Sequence, residues 1–285
     1  MPDRLRLTDP LSSLDAWVDA FARAEIPVLA ETAEALEQMR ATEDDVDAHG
    51  LGELIATDPL MTLKVLAHAN ELKRGRSAGL MADPETVTAA LVLMGITPFF
   101  RDFGPQPTLE AVLADHEEAQ LGLSRVMQRA ERASRFALGF AAHRADPDAA
   151  VIHSAALLHD FAEMLLWCHA PKLALEIASR LKADHTIRSA DIQQEVLGVQ
   201  LGDLAQELMR EWQLPALLIR CTDDRNANDP KIRSVMLGVR IARHTQYGWD
   251  DPHAQAALPD DVTEVAKLLN LSNDAAHRLL VGMDS

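Results

Sequence analysis

Along this chain apolar residues recur at spacings of three and four, the period of an amphipathic helix, and alternate nowhere for more than about four residues as a half-buried strand would. Leu14, Trp17, Val18 and Phe21 make the first stripe, opened by Ser12 with Asp15 completing a capping box. Ile26-Pro27-Val28-Leu29 leads into a second helix through Ala33, Leu36 and Met39. Glu43–Asp47 with His49-Gly50 reads as loop and Leu51–Ala56 as a short helix. Asp58-Pro59 is a cap followed by proline at the first helical position, so a helix through Leu63, Val65, Leu66 and Ala69 follows it, ending near Asn70. Lys73–Pro84 reads as loop. Thr86–Met94 is helical and stops at Gly95.

The cluster Phe103-Gly104-Pro105-Gln106-Pro107 breaks the pattern and predicts a boundary between two helical subdomains, residues 1–105 and 106–285. Beyond it, helices are predicted over Leu109–Asp115, Ser124–Arg144, about 148–168, Pro171–Ala183, and 189–212 with a break or bend near Gly198 and Gly202. Another begins at Pro215. Asp223–Pro230 is a polar loop, followed by helices over Lys231–Tyr247, Pro259–Leu269 and Ser272–Val281. The fold class is all-α.

The helix over 148–168 carries the most informative residues. Asp146 and Pro147 give it a start signal. Ile152, Ala155, Ala156, His159 and Ala162 share one face, so His159 is expected to point inward. Leu158, beside it, is expected in the core. A His followed by an Asp, on a helix facing other helices, is a metal-ligand arrangement when more His and Asp converge on it. The same pair serves equally as a core histidine and a carboxylate holding a neighbouring helix.

Composition narrows the choices. Aromatics are only 4% of the chain, so the core must come from Leu, Ala, Val, Ile and Met. The formal net charge of -17 opposes duplex nucleic acid and anionic lipid, which carry the same sign. Lys73, Arg74 and Arg76 cluster in one loop and read as a solvated turn. Cys168 and Cys221 form no CxxC motif or disulfide framework. Cys168 and His169 are adjacent on one helix, which turns their side chains apart and argues against a nucleophile pair. His169 reads as a helix-end cap. His153, two turns before His159, is offset from the inward face, and His143, His185, His244, His253 and His277 read as surface or packing residues. No GxGxxG, P-loop or GxSxG motif is present. The N-terminus lacks the apolar core of a signal peptide, and the expected location is the cytoplasm.

Several stretches together carry a resemblance: Ile26-Pro27-Val28-Leu29; Leu54-Ile55 followed by Asp58-Pro59; LAHAN from Leu66 to Asn70; VTAALVLMG from Val87 to Gly95; ALLHDFAEMLL from Ala156 to Leu166; and EVLGVQLGDLAQELMREWQLP from Glu195 to Pro215. In this order and spacing they resemble the HDOD domain, a bacterial regulatory relative of the HD phosphohydrolases, over about residues 26–245. The resemblance implies a small N-terminal helical bundle packed on an HD-like bundle, and a role in signalling or regulation.

It also implies where HD metal ligands would fall. The pair His159-Asp160 is kept. The histidine of the preceding helix would fall near Gln128–Ala130, where Arg129 stands. The "G-x-x-H" histidine would fall at Leu201. The histidine after W-x-L-P would fall near Arg225-Asn226, and the later aspartate near Arg243. Two protein ligands do not hold a catalytic ion against water, and arginines nearby repel a cation. Arg129 is expected to pair with Asp160 instead. The expected protein is a non-catalytic regulatory module without metal or cofactor, acting through a signalling partner protein. A metal-dependent phosphohydrolase of cyclic dinucleotides or nucleotides is the alternative. A third reading is a nucleotide sensor using Arg129, Arg225 or Arg243 to bind phosphate.

Overall fold

The computed structural model describes residues 6–75, 83–184 and 186–284, and all its regular elements are helical. His185 and Arg76 lie outside the described residues, as does the side chain of Arg74. In chain order the helices are α1 Leu14–Arg23, α2 Ala30–Arg40, α3 Ala48–Ile55, α4 Pro59–Gly75, α5 Val87–Met94 and α6 Ile96–Asp102. Then come α7 Leu109–Val112, α8 Glu117–His143, α9 Ala149–Leu158, α10 Phe161–His169, α11 Pro171–Ala183 and α12 Ser189–Leu197. The last five are α13 Leu201–Glu211, α14 Ala216–Cys221, α15 Pro230–His244, α16 Pro252–Leu269 and α17 Asn273–Met283. A single isolated bridge, Val28 with Thr108, is the only β-type pairing among the described residues.

Local chemistry sets most of these ends. Ser13, rather than Ser12, caps α1 by accepting from the Ala16 N–H. Thr86 caps α5, and Gly95, at φ 85, ends it in a conformation that costs a side chain strain. Gly198, at φ 74, closes α12 in the left-handed region, so the predicted break falls there, while Gly202 lies inside α13. The predicted helix over 259–269 starts earlier, at Pro252 behind the Asp251 cap, and Pro259 sits inside it. Helix α6 was not legible in the pattern: it is seven residues long, and Pro98, which breaks a helix interior, stands here in its first turn.

The chain divides into two packed units, residues 1–126 with 160–215, and residues 127–159 with 216–285. The breaker cluster expected to separate 1–105 from 106–285 lies within the first unit. It ends a helix but stays bonded: the Val28 N–H donates to Pro107 O at 2.9 Å, the Leu109 N–H to Val28 O at 2.8 Å, and Lys64 Nζ to Gln106 Oε1 at 2.6 Å. The returning segment belongs to the first unit because α13 packs on α1 and α10 packs on α4. Trp17 Nε1–H donates to Leu197 O at 3.2 Å, and the Leu7 N–H to His169 O at 2.8 Å. Trp17, Phe21, Leu51, Leu60, Met61, Phe99 and Phe100 are all buried in this unit.

In the second unit α15 is central. It packs on α9, α14 and α16. Its Gly238 meets α8 so closely that a Cβ would stand 2.6 Å from Ala133 O. Arg240 Nε and His244 Nδ1 both reach the buried carboxylate of Asp261 on α16, each at 2.6 Å. Asp284, just beyond α17, receives Arg132 at 2.6 and 2.8 Å and Trp249 Nε1–H at 2.8 Å. Taken as one stretch, Ala149–His169 contains an 18-residue window apolar enough to cross a membrane, with mean hydropathy 1.3, but 67% of that window is buried inside the protein. It reads as core.

Candidate functional site: the His159-Asp160 turn

The predicted helix over 148–168 is two helices, and the His-Asp pair is the joint between them. Helix α9 ends at Leu158 and α10 begins at Phe161. His159 keeps helical backbone angles, whereas Asp160, at φ -101 and ψ 21, leaves them. The Asp160 carbonyl then starts α10 by accepting from the Glu163 and Met164 N–H groups at 3.0 and 3.2 Å. At the other end of α9, Asp146 is not its cap. The Asp146 carboxylate accepts from the Asp148 N–H at 3.0 Å and turns the chain before Ala149. Leu158 is fully buried, as its position predicted.

The imidazole of His159 is mostly rather than wholly buried, with 15% of its side chain exposed. Its Nε2 stands 3.3 Å from both carboxylate oxygens of Asp224, whose side chain is 51% exposed. Asp224 lies in a single 3-10 turn, Asp224–Asn226, capped by Asp223. Asp223 accepts from both the backbone N–H and Nε–H of Arg225, at 3.2 and 2.8 Å. The turn is thus closed on itself at Asp223 and Arg225, while Asp224 is directed to His159. Nothing in the periodicity singled out Asp224. A lone aspartate in the polar run DDRNANDP leaves no pattern, and its role depends on the long-range approach of this loop to the end of α9.

The remaining candidates fall apart from this pair in character. Arg225 serves its own turn, and Arg243 lies exposed in the last turn of α15. Arg129 is half-buried on α8. Leu201 begins α13 as a buried apolar residue whose N–H donates to Gln193 Oε1 at 3.0 Å. Among the described residues no group of three or more His, Cys, Asp or Glu side chains is placed to hold a metal ion. His153 is pushed by burial below the usual histidine pKa. His169, the last residue of α10, is buried, with its ring 5.8 Å from that of Phe21. His244, expected as an ordinary surface or packing residue, is the hydrogen-bond partner of Asp261, its Nδ1 2.6 Å from the carboxylate. Burial raises the thiols of both cysteines, Cys168 strongly and Cys221 to about 11, so neither supplies a thiolate nucleophile near neutral pH.

The HDOD domain profile matches residues 26–227, well over half of the chain. The chain belongs to the HDOD domain family. A comparison with curated proteins finds no match. Among solved structures, this HDOD protein is similar to the MmoQ response regulator of Methylococcus capsulatus, with a TM-score of 0.64 and 20% identity over 90% of this chain and 98% of that one. It is equally similar to a virulence factor of Campylobacter jejuni subsp. jejuni, with a TM-score of 0.64 and 18% identity over 95% of this chain and 98% of that one. At these identities the likeness is one of fold. The HDOD match ends at Ala227, inside the loop that presents Asp224, so α15, α16 and α17 lie beyond it.

Proposed function

We propose that this HDOD protein is a non-catalytic regulatory module that acts by binding a protein partner. The observation that carries this reading is the engagement of His159. Its Nε2 faces the Asp224 carboxylate at 3.3 Å, and the side chains at the other HD ligand positions are Arg129, Leu201, Arg225-Asn226 and Arg243. Among the described residues His159, Asp160 and Asp224 form no group of three placed to hold an ion, and fewer donors do not hold one against water. Three of the remaining positions carry arginine, whose charge opposes a cation. The residues present do not fit an HD metal centre. The solved structure of similar fold from Methylococcus capsulatus is a response regulator, which accords with a signalling role.

The test is metal analysis and hydrolysis on the purified full chain. After dialysis we expect substoichiometric Fe, Mn, Zn and Ni, and no turnover of cyclic dinucleotides or other phosphodiesters with any of these ions added. Stoichiometric metal with phosphodiester hydrolysis overturns the proposal in favour of an enzyme. Saturable nucleotide binding without hydrolysis, lost on Arg129→Ala, replaces it with a nucleotide sensor.

A further inference from the structure

We infer that α17 is an autoinhibitory strap, latched over α8 by Met283 and Asp284, and that the seat it fills there in cis is the one on which an amphipathic helix of the partner protein docks; this rests on the protein-binding reading above. Two residues of α8 make the seat, and their spacing of seven puts them on one face of the helix. The first is Arg132, whose side chain is 17% exposed. Its guanidinium has two tasks. At the end of α15, Nη1 donates to Thr245 O at 3.0 Å and Nη2 to Thr245 Oγ1 at 2.7 Å. Beyond α17, Nε and Nη2 donate to the two carboxylate oxygens of Asp284, at 2.8 and 2.6 Å. A forked, charge-assisted pair of this kind is among the stronger polar contacts a protein makes. The Asp284 side chain is only 11% exposed, accepts also from Trp249 Nε1–H, and has Arg135 4.0 Å away.

The second is Gly139, where a Cβ would stand 2.7 Å from Met283 Sδ. The missing side chain is therefore a hollow that the thioether fills, in a helix interior where alanine is favoured over glycine by about 1 kcal/mol. Methionine is unbranched and adaptable, a side chain that seats without specifying a shape. Helix α17 brings it there as a helix laid in a groove does. Ala276 and Leu280 are buried and Met283 follows, at spacings i, i+4 and i+7, while Asn273, Asp274, His277 and Arg278 face solvent. The helix packs on α16 and has its own cap, Ser272. Both helices lie past Ala227, outside the family match, so the strap is an addition to the HDOD core. Arg132 keeps its bonds to Thr245 whether or not Asp284 is present, so the seat outlasts the strap. With Asp284 gone, a mostly enclosed guanidinium lacks its counter-charge. A partner helix of the same apolar spacing, followed by Asp or Glu, supplies it. The device is thus an exchange of one carboxylate-tipped helix for another.

The experiment uses the full chain, as parent, Asp284→Asn and Met283→Ser, with a fluorescent synthetic peptide of the sequence Leu271–Asp284. In hydrogen exchange the amides of residues 273–283 should exchange roughly tenfold faster in each variant, with α9 and α15 unchanged. The peptide should bind each variant roughly tenfold tighter than the parent. A peptide with asparagine for its last residue should lose that gain, and Gly139→Leu in the Asp284→Asn chain should abolish it by filling the hollow. Asp274→Asn, at the far end of α17, should behave as the parent. Exchange in α17 that ignores both latch variants, peptide binding equal in parent and variants, or no binding to either variant would overturn the strap. Phosphodiester hydrolysis by a chain whose strap opens as described would sink the non-catalytic reading and leave the strap standing. A chain without hydrolysis whose α17 ignores the latch variants sinks the strap alone.

Discussion

Asp58 holds two helix starts at once. Its buried carboxylate accepts from the Leu60 and Met61 N–H groups at the head of α4, at 2.9 and 3.0 Å, and from the Leu29 N–H before α2 at 2.8 Å. Thr32 donates to it as well. Burial nonetheless raises its pKa above the ordinary 3.8, outweighing those hydrogen bonds. As pH rises the unfolded chain therefore loses this proton first. The stability that Asp58 brings is full below about pH 4 and declines as pH climbs through the raised value. Asp58→Ala should cost about 2–4 kcal/mol in urea unfolding at acid pH, from the lost cap and the N–H groups left without a partner. The gap between parent and variant should narrow as pH rises, and a widening gap would contradict the account. The His159-Asp224 pair is a weaker affair, because Asp224 is half in solvent. Asp224→Ala should lower stability by less than about 1 kcal/mol; a larger loss in urea unfolding would mean a task beyond this pairing. At this scale the sequence was uneven. Asp58-Pro59 announces itself as a cap, since two adjacent residues carry the signal. Asp224 does not, since its meaning lies in a residue 65 positions away.

Among the elements, the helices were legible where an apolar stripe ran between a cap and a glycine, as in α5, and the glycine alone marked the end of α12. They were misread around proline: the pattern starts a helix at Pro259, which lies within α16, and does not show the short helix α6 around Pro98. The joint inside the apolar run Ala149–His169 was hidden because both halves are core, so no polar residue outside the His-Asp pair marks the change of direction. Close helix contact was equally invisible. Gly238 sits mid-helix in α15, where alanine is intrinsically favoured by about 1 kcal/mol. Here a Cβ would meet backbone on α8, Ala133 O at 2.6 Å and Ala137 N at 3.2 Å, and backbone has little room to yield. Gly238→Ala should therefore destabilise the protein, by about 1–3 kcal/mol, despite its helix propensity. Neutral or raised stability in thermal unfolding would show that the α8–α15 contact relaxes.

For the molecule as a whole, the all-α class and the family were readable from ordered short motifs. The packing units are discontinuous, with residues 160–215 returning to the N-terminal helices. Such a return is set by tertiary contacts like Trp17 with Leu197, which no breaker cluster announces. The central claim, that the His-Asp signature persists here without a metal's chemistry, predicts how the folded state responds to metal. An ion bound only by the folded chain would add RT ln(1 + [L]/Kd) to its stability, so its removal would lower the melting temperature. The decisive measurement is the melting curve of the parent protein with EDTA, without it, and with added Mn2+. The account predicts three superimposable curves. A fall of several degrees in EDTA that Mn2+ reverses would contradict it.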